Sequence, residues 1–123
     1  MRIFHIVPPV TWSAAQETGQ YTSADFAADG FVHFSFAHQV ARVANAIYRD
    51  EPELVVVEVE SDVVPAELLR VEDCYESGET FPHVYGPIPV SAARSITQLT
   101  RDAGGDWEFT APGGATAPAS PGQ

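Results

Sequence analysis

The stretch Leu-Val-Val-Val-Glu-Val at residues 54–59 gives the strongest strand signal of this sequence. β-Branched residues favour extended backbone, and a near-continuous apolar run predicts a strand that is buried on both of its faces. Glu58 is the interruption, and it places a carboxylate on one of those faces. A strand of this kind requires partner strands, and the sequence on either side supplies several candidates.

Other segments also have the composition of strands. Residues 2–7 form one candidate, and two consecutive prolines end it. Residues 31–36 form a second candidate, in which alternation places His33 and Ser35 on the same face. Two later candidates are residues 81–85 and 95–100.

The sequence changes to a helical period between these strands. Apolar residues at 40, 43, 44 and 47 predict an amphipathic helix that ends near Tyr48. Thr11 is suited to cap a short helix over residues 12–17, and Gly19 is suited to end it. The fold class that follows is α+β, with a curved, mainly antiparallel sheet and two or three helices. The remaining expectations are a single helical turn within residues 61–69 and loops at residues 20–30 and 72–80.

Length and charge restrict the classes of function. The chain has 123 residues, which suits one domain, and we expect it to occupy residues 1–109. Residues 110–123 are rich in Ala, Pro and Gly, so we expect a disordered tail. The net charge is -11, and the six basic residues are all Arg. Nucleic-acid binding depends on many Lys and Arg contacts, so we expect no nucleic-acid partner.

Location and redox chemistry follow from the remaining composition. No segment approaches the roughly 20 apolar residues that cross a bilayer, and the N-terminus does not resemble a signal peptide. We therefore expect a cytoplasmic protein with no membrane partner. Cys74 is the only cysteine, which excludes an intrachain disulfide. The sequence gives no indication of the oligomeric state.

Three histidines have placements that suggest chemistry. His5, His33 and His83 each lie in an extended apolar segment, whereas His38 lies on the polar side of the predicted helix. Burying an imidazole without a partner is costly, so three such residues on three strands indicate either satisfied structural groups or a shared site. Ser35 adds a hydroxyl on the same strand face as His33 and could also cap the following helix.

Several chemistries fit these residue types to different degrees. A metal site of the three histidines with Glu58 has suitable ligands but no closely spaced pair, so we expect no metal. Paired His-x-Ser motifs of a phosphoesterase are not supported, because residues 33–35 supply only one such motif. Nucleophile-elbow, P-loop and dinucleotide glycine motifs are absent. Binding of a nucleotide or another small molecule without metal remains open.

Three motifs resemble the bacterial domain-of-unknown-function family 952. Ile-Phe-His-Ile at residues 3–6 resembles the family's first strand. Gly-Phe-Val-His-Phe-Ser at residues 30–35, followed by Gln-Val at residues 39–40, resembles its second motif. Phe-Pro-His-Val-Tyr-Gly-Pro-Ile at residues 81–88 resembles its third and most specific motif. The resemblance covers residues 2 to about 100.

That family is similar to a compact ADP-ribosyltransferase fold, in which a split and bent sheet holds NAD. The resemblance implies that NAD is the cofactor, that His5 contacts its adenosine ribose, and that His33 with Ser35 holds its nicotinamide side. It places His83 and Tyr85 on the third motif strand. Cofactor binding is thus assigned to His5 and Ser35, and catalysis to His33, His83 and Tyr85.

Catalysis itself is an open question at this point. The glutamate of many active transferases is missing from the third motif strand, because Glu79 precedes that strand and Glu58 lies on another. Two alternatives therefore accompany the NAD hypothesis. One is a non-catalytic module that binds a small molecule, and the other is an enzyme of different chemistry that uses His33 or His83 as a general base.

Overall fold

A computed structural model describes residues 1–24, 26–73 and 76–112 of the chain. Cys74 and residues 113–123 of the predicted tail lie outside the described residues. Its α-helices are α1 (Pro9–Thr18), α2 (Phe26–Asp29) and α3 (Val40–Ile47). Its strands are β1 (Arg2–Val7), β2 (Gln20–Tyr21), β3 (Val32–His33), β4 (Val55–Glu60), β5 (Leu69–Glu72), β6 (Phe81–Val84), β7 (Ile88–Pro89), β8 (Ala93–Gln98), β9 (Thr100–Arg101) and β10 (Trp107–Glu108).

The first sheet is antiparallel with the order β1–β4–β8. The Val-rich strand β4 is its central strand, and Val56, Val57 and Val59 are buried. This confirms burial on both faces, because successive side chains of a strand point to opposite sides. Within this register His5 lies opposite Val57.

The second sheet is antiparallel with the order β3–β6–β5. His33 of β3 lies directly opposite His83 of β6, so the register of this sheet brings two of the three histidines together. A bridge between Phe4 and Ser35 joins the two sheets, with N···O distances of 2.9 and 2.7 Å between their backbones. Ser35 therefore lies at the junction of the sheets.

Two hydrophobic clusters lie on opposite faces of the first sheet. One cluster joins Ile3 and Val57 to Trp12 of α1. The other joins Phe4 to Val40 of α3, and the last strand adds Trp107 to it. The predicted helix is confirmed as α3, but its apolar residues are not all buried. Val40 is fully buried, whereas Ile47 is 67% exposed at the open end of the helix.

The structure differs from the prediction at several short elements. Helix α1 begins at Pro9 rather than after Thr11, because proline suits the first turn of a helix, and Gly19 ends it as expected at φ 87°. Residues 20–21 pair with β7, and residues 26–29 form a helical turn, where a loop was expected. Strand β5 was also missed; it has only four residues, and Arg70 and Val71 in its middle are exposed.

The last described residues extend past the expected domain boundary. The backbone oxygen of Pro112 accepts a hydrogen bond of 2.6 Å from Arg2, and Ala111 packs against the second hydrophobic cluster. Residues 111 and 112 thus contact the rest of the chain, and the domain boundary at residue 109 stays a prediction. None of the helices in the described part of the chain has the length and hydropathy needed to cross a membrane.

Candidate functional site

A cavity of about 590 Å³ opens where the two sheets meet helix α3. Its walls combine aromatic and aliphatic side chains with a few polar groups, a composition typical of small-molecule sites. Among the described residues, the aromatic and aliphatic walls come from Phe4, Ile6, Phe34, Val43, Ile47, Tyr48 and Phe81. The polar lining consists of His5, Asp29, His33, Ser35 and His83.

His5 lies in the cavity wall, and both of its ring nitrogens bond to protein groups. Nδ1 is 2.6 Å from the backbone oxygen of His33, and Nε2 is 2.6 Å from the hydroxyl of Tyr21. A carbonyl oxygen can only accept, so Nδ1 carries the proton and the Tyr21 hydroxyl donates to Nε2. Burial lowers the pKa of His5 to about 4, and the imidazole is neutral at pH 7. His5 therefore fixes the backbone of His33.

His33 and Ser35 are the polar groups at the centre of the site. Nε2 of His33 is 2.8 Å from Oδ2 of Asp29, four residues earlier at the end of α2. A neutral His33 donates this proton to the carboxylate, which leaves the basic lone pair on Nδ1. Ser35 is 5% exposed and lines the cavity, and its hydroxyl makes no hydrogen bond to another described residue.

His83 is held from the side opposite to His33. Its Nδ1 is 2.9 Å from Oε2 of Glu72, and the same oxygen accepts a hydrogen bond from the Tyr85 hydroxyl. The ring of Phe31 stacks on the imidazole with 4.1 Å between centroids. Burial lowers the pKa of His83, although the Glu72 carboxylate opposes this change. The imidazole thus favours its neutral form.

The structure brings four of the five residues assigned from the sequence to one cavity. His5, His33, Ser35 and His83 line it, and the ring centroids of His33 and His83 are 5.2 Å apart. Tyr85 does not line the cavity; its hydroxyl donates to the Glu72 carboxylate that holds His83, and its ring contacts Phe31.

The metal constellation considered from the sequence does not assemble. Glu58 lies on the face of the first sheet that carries Phe4, where Arg2 binds it at 2.8 Å. No group of three His, Cys, Asp or Glu side chains within residues 1–24, 26–73 and 76–112 is placed to hold a metal ion.

Sequence reasoning missed the carboxylates that hold the two histidines. Asp29 precedes His33 by four residues, and this short spacing was the available signal. Glu72 had no local signal, because it reaches His83 only through the pairing of β5 with β6. Glu79, which was weighed instead, accepts a hydrogen bond from Gln39 and pairs with Arg42. Gln39 is itself buried and serves the structure of this loop rather than the cavity.

The family follows from a match over most of the described chain. Residues 6–96 match the family described as "Protein of unknown function (DUF952)". The chain belongs to the DUF952 family. Three of the four assigned residues that line the cavity, His33, Ser35 and His83, fall within the matched part of this DUF952 domain. Among curated proteins, none matches the chain.

Solved structures of one relative share the fold of this DUF952 domain. A crystal structure of protein CC0527 from Caulobacter crescentus has a TM-score of 0.79 and 33% identity, and the match covers 88% of this chain and 94% of that one. A solution NMR structure of the same protein has a TM-score of 0.74 and 34% identity, covering 85% and 90%. The α+β architecture with mainly antiparallel sheets is thus shared with this relative.

Proposed function

We propose that this DUF952 domain binds the ring and ribose end of NAD, or of a related nucleotide, in the cavity between its sheets. The observation that carries the proposal is the convergence of His33 and Ser35 on one cavity with His5 and His83. The family resemblance assigns the nicotinamide side of NAD to the first two of these residues. The cavity of about 590 Å³ also lies within the usual range of roughly 300–1,000 Å³ for small-molecule sites.

The residues have different roles in this proposal. Ser35 offers a hydroxyl inside the cavity, and His33 offers an imidazole oriented by Asp29. Phe81, a partly exposed aromatic residue of the lining, would provide surface for a planar ring. His5 acts as a positioning residue, because both of its nitrogens bond to protein groups. This modifies the direct ribose contact that the family resemblance implies for it.

Catalysis is a second candidate function, and the Asp29–His33 hydrogen bond of 2.8 Å favours it. A carboxylate that accepts from one imidazole nitrogen holds the other as a general base. In hydrolysis of NAD, the bond from the ribose carbon to nicotinamide would break with its electron pair leaving on nicotinamide. Water would bond to that carbon and give its proton to Nδ1 of His33. His83 would line the cavity beside His33, and Tyr85 would act through the Glu72 carboxylate that holds His83.

A titration with NAD tests the binding proposal. We expect the ring resonances of His33 and His83 to move in NMR spectra at millimolar NAD. Ser35→Ala should weaken binding by about threefold to tenfold, the effect of one hydrogen bond. His38→Gln is the matched control, since His38 is exposed and lies outside the cavity lining. If the resonances of His5, His33 and His83 all stay in place, NAD is not the ligand.

Release of nicotinamide from NAD separates the enzyme from a binding module. An enzyme releases nicotinamide at a rate that falls in His33→Ala and stays unchanged in His38→Gln. A non-catalytic module shows only thermal stabilisation by NAD. Stabilisation without release would remove the catalytic candidate and retain the binding proposal.

A further inference from the structure

None of the arginines of this chain lines the cavity, although Arg2 lies 5.4 Å from the ring centroid of Phe4, which does. The sequence contains six arginines and no lysine, and all six lie in the described residues, yet none lines the cavity. Four pair with carboxylates and two stack on aromatic rings. The ion pairs are Arg2–Glu58, Arg42–Glu79, Arg49–Asp106 and Arg94–Glu60, and the stacked pairs are Arg70–Tyr85 and Arg101–Trp107.

The histidines of the cavity do not supply an unpaired positive charge in place of the arginines. Burial lowers the pKa of His5 to about 4, and burial also lowers the pKa of His83. His33 faces the carboxylate of Asp29 at 2.8 Å, so any positive charge on its ring would be paired. A phosphate or other anion would therefore find no uncompensated cation in the described lining.

The remaining lining favours the opposite charge. Asp29 contributes the formal negative charge of the described lining, and its side chain is 37% exposed. Aromatic residues, among them Tyr48 and Phe81, line the same cavity, and aromatic π surface attracts cations. Ser35 adds a buried hydroxyl without a hydrogen bond to another described residue. Aromatic walls with one carboxylate are the usual means of binding organic ammonium groups.

We propose that the group bound inside this cavity is an organic cation, either an N-alkylated aromatic ring or an alkylammonium, and that any phosphate of the ligand stays outside. The proposal rests on the cavity being a ligand site, as in the proposed function, but it does not require NAD. It names the charge of the bound group, which the motifs of the sequence leave open.

Two small probes of the same shape test this charge preference. 1-Methylnicotinamide is a cation, and nicotinamide is its neutral analogue without the methyl group. By NMR titration of His33 and His83 we expect the cation to bind about fivefold to tenfold more tightly, from one partly exposed ion pair and cation–π contacts. Inorganic phosphate should move neither resonance at the same concentrations.

A pair of charge-matched variants assigns the preference to the cavity. Asp29→Asn keeps an oxygen that can accept from His33, so the fold is retained, and it should remove most of the preference for the cation. Asp62→Asn removes an equal charge from an exposed turn outside the lining and should leave the preference unchanged. Equal binding of the two probes, binding of neither, or displacement by phosphate would overturn the proposal.

The NAD titration keeps the two proposals distinguishable. If 1-methylnicotinamide binds as expected and NAD does not, the charge preference stands and the proposed NAD function fails. If NAD binds and both small probes bind equally, the proposed function stands and the charge preference fails.

Discussion

The buried polar groups of the two sheets differ in their partners. On the first sheet, Glu58 accepts from Arg2 at 2.8 and 3.1 Å and from Ser95 at 2.9 Å, and His5 uses both ring nitrogens within the protein. On the second sheet, His33 and His83 each give one nitrogen to a carboxylate and line a cavity. Polar groups of the first kind hold the fold together, whereas those of the second kind are oriented toward a space large enough for a ligand.

Changes on the first sheet should therefore act on stability, and changes on the second sheet should act on titration and ligand binding. The largest effect is expected at His5. Its pKa is about 4 in the folded protein against 6.5 for an unperturbed histidine, because burial penalises the charged ring. Below pH 6.5 the His5 ring is protonated in the unfolded chain but stays neutral in the folded protein until the pH approaches 4. The contribution of His5 to the free energy of unfolding is therefore complete above pH 6.5 and is lost as the pH falls toward 4.

We expect the free energy of unfolding to fall by about 3 kcal/mol through this group between pH 7 and pH 4. Urea denaturation at pH 7.5, 6 and 5 measures the part of this fall that occurs before most carboxylates take up protons. His5→Asn retains an N–H that can reach the His33 carbonyl, and it should reduce the slope. The slope left in that variant includes the contribution of His83, whose pKa is also lowered. An unchanged slope in His5→Asn would contradict the assignment.

Arg2→Ala should give the next largest effect. It leaves the Glu58 carboxylate buried with Ser95 at 2.9 Å and the more distant Arg94 at 3.8 Å. Unpairing a buried charge is costly, and we expect a loss of about 2–3 kcal/mol, reduced because Arg2 itself is partly exposed. Thermal and urea unfolding at pH 7 measure this loss.

Arg94→Ala is the control for that prediction, since Arg94 is 62% exposed, pairs at 3.1 Å with the partly exposed Glu60 and is 3.8 Å from Glu58. It should cost at most about 1 kcal/mol. Arg2 also lowers the pKa of Glu58, so the contribution of this carboxylate is present above its ordinary pKa of 4.5 and is lost at lower pH. If Arg2→Ala and Arg94→Ala are equally stable, or if Arg2→Ala alters ligand binding, the division between the sheets fails.

Local patterns in the sequence were sufficient for the central elements of the fold. The valine run predicted β4, and the helical period predicted α3, because both elements bury an apolar face that is visible in a short window. Alternation also placed His33 and Ser35 on one face, and both line the cavity. The NAD ligand and the catalytic roles stay predictions, as local pattern does not report ligand identity.

Contacts between distant segments leave no signal in a short window of sequence. Tyr21 bonds to His5 across 16 residues, and Glu72 bonds to His83 only after β5 pairs with β6. The signal for β5 was weak, because this edge strand has only four residues. The partners that set the protonation of two histidines therefore became visible only in three dimensions.

The smallest effect on stability is expected on the second sheet, for Glu72→Gln. The amide oxygen still accepts from His83 and Tyr85, so we expect the free energy of unfolding to change by less than about 1 kcal/mol.

The titration of His83 should change more clearly in Glu72→Gln. Burial lowers the pKa of His83 and the Glu72 carboxylate raises it, so removing that charge should lower the titration midpoint further. NMR titration of the His83 ring from pH 8 to pH 4 measures the shift, and Glu67→Gln, an exposed carboxylate before β5, is the control. A midpoint that stays constant or rises would show that Glu72 does not set the charge of His83, and the second sheet would then resemble the first.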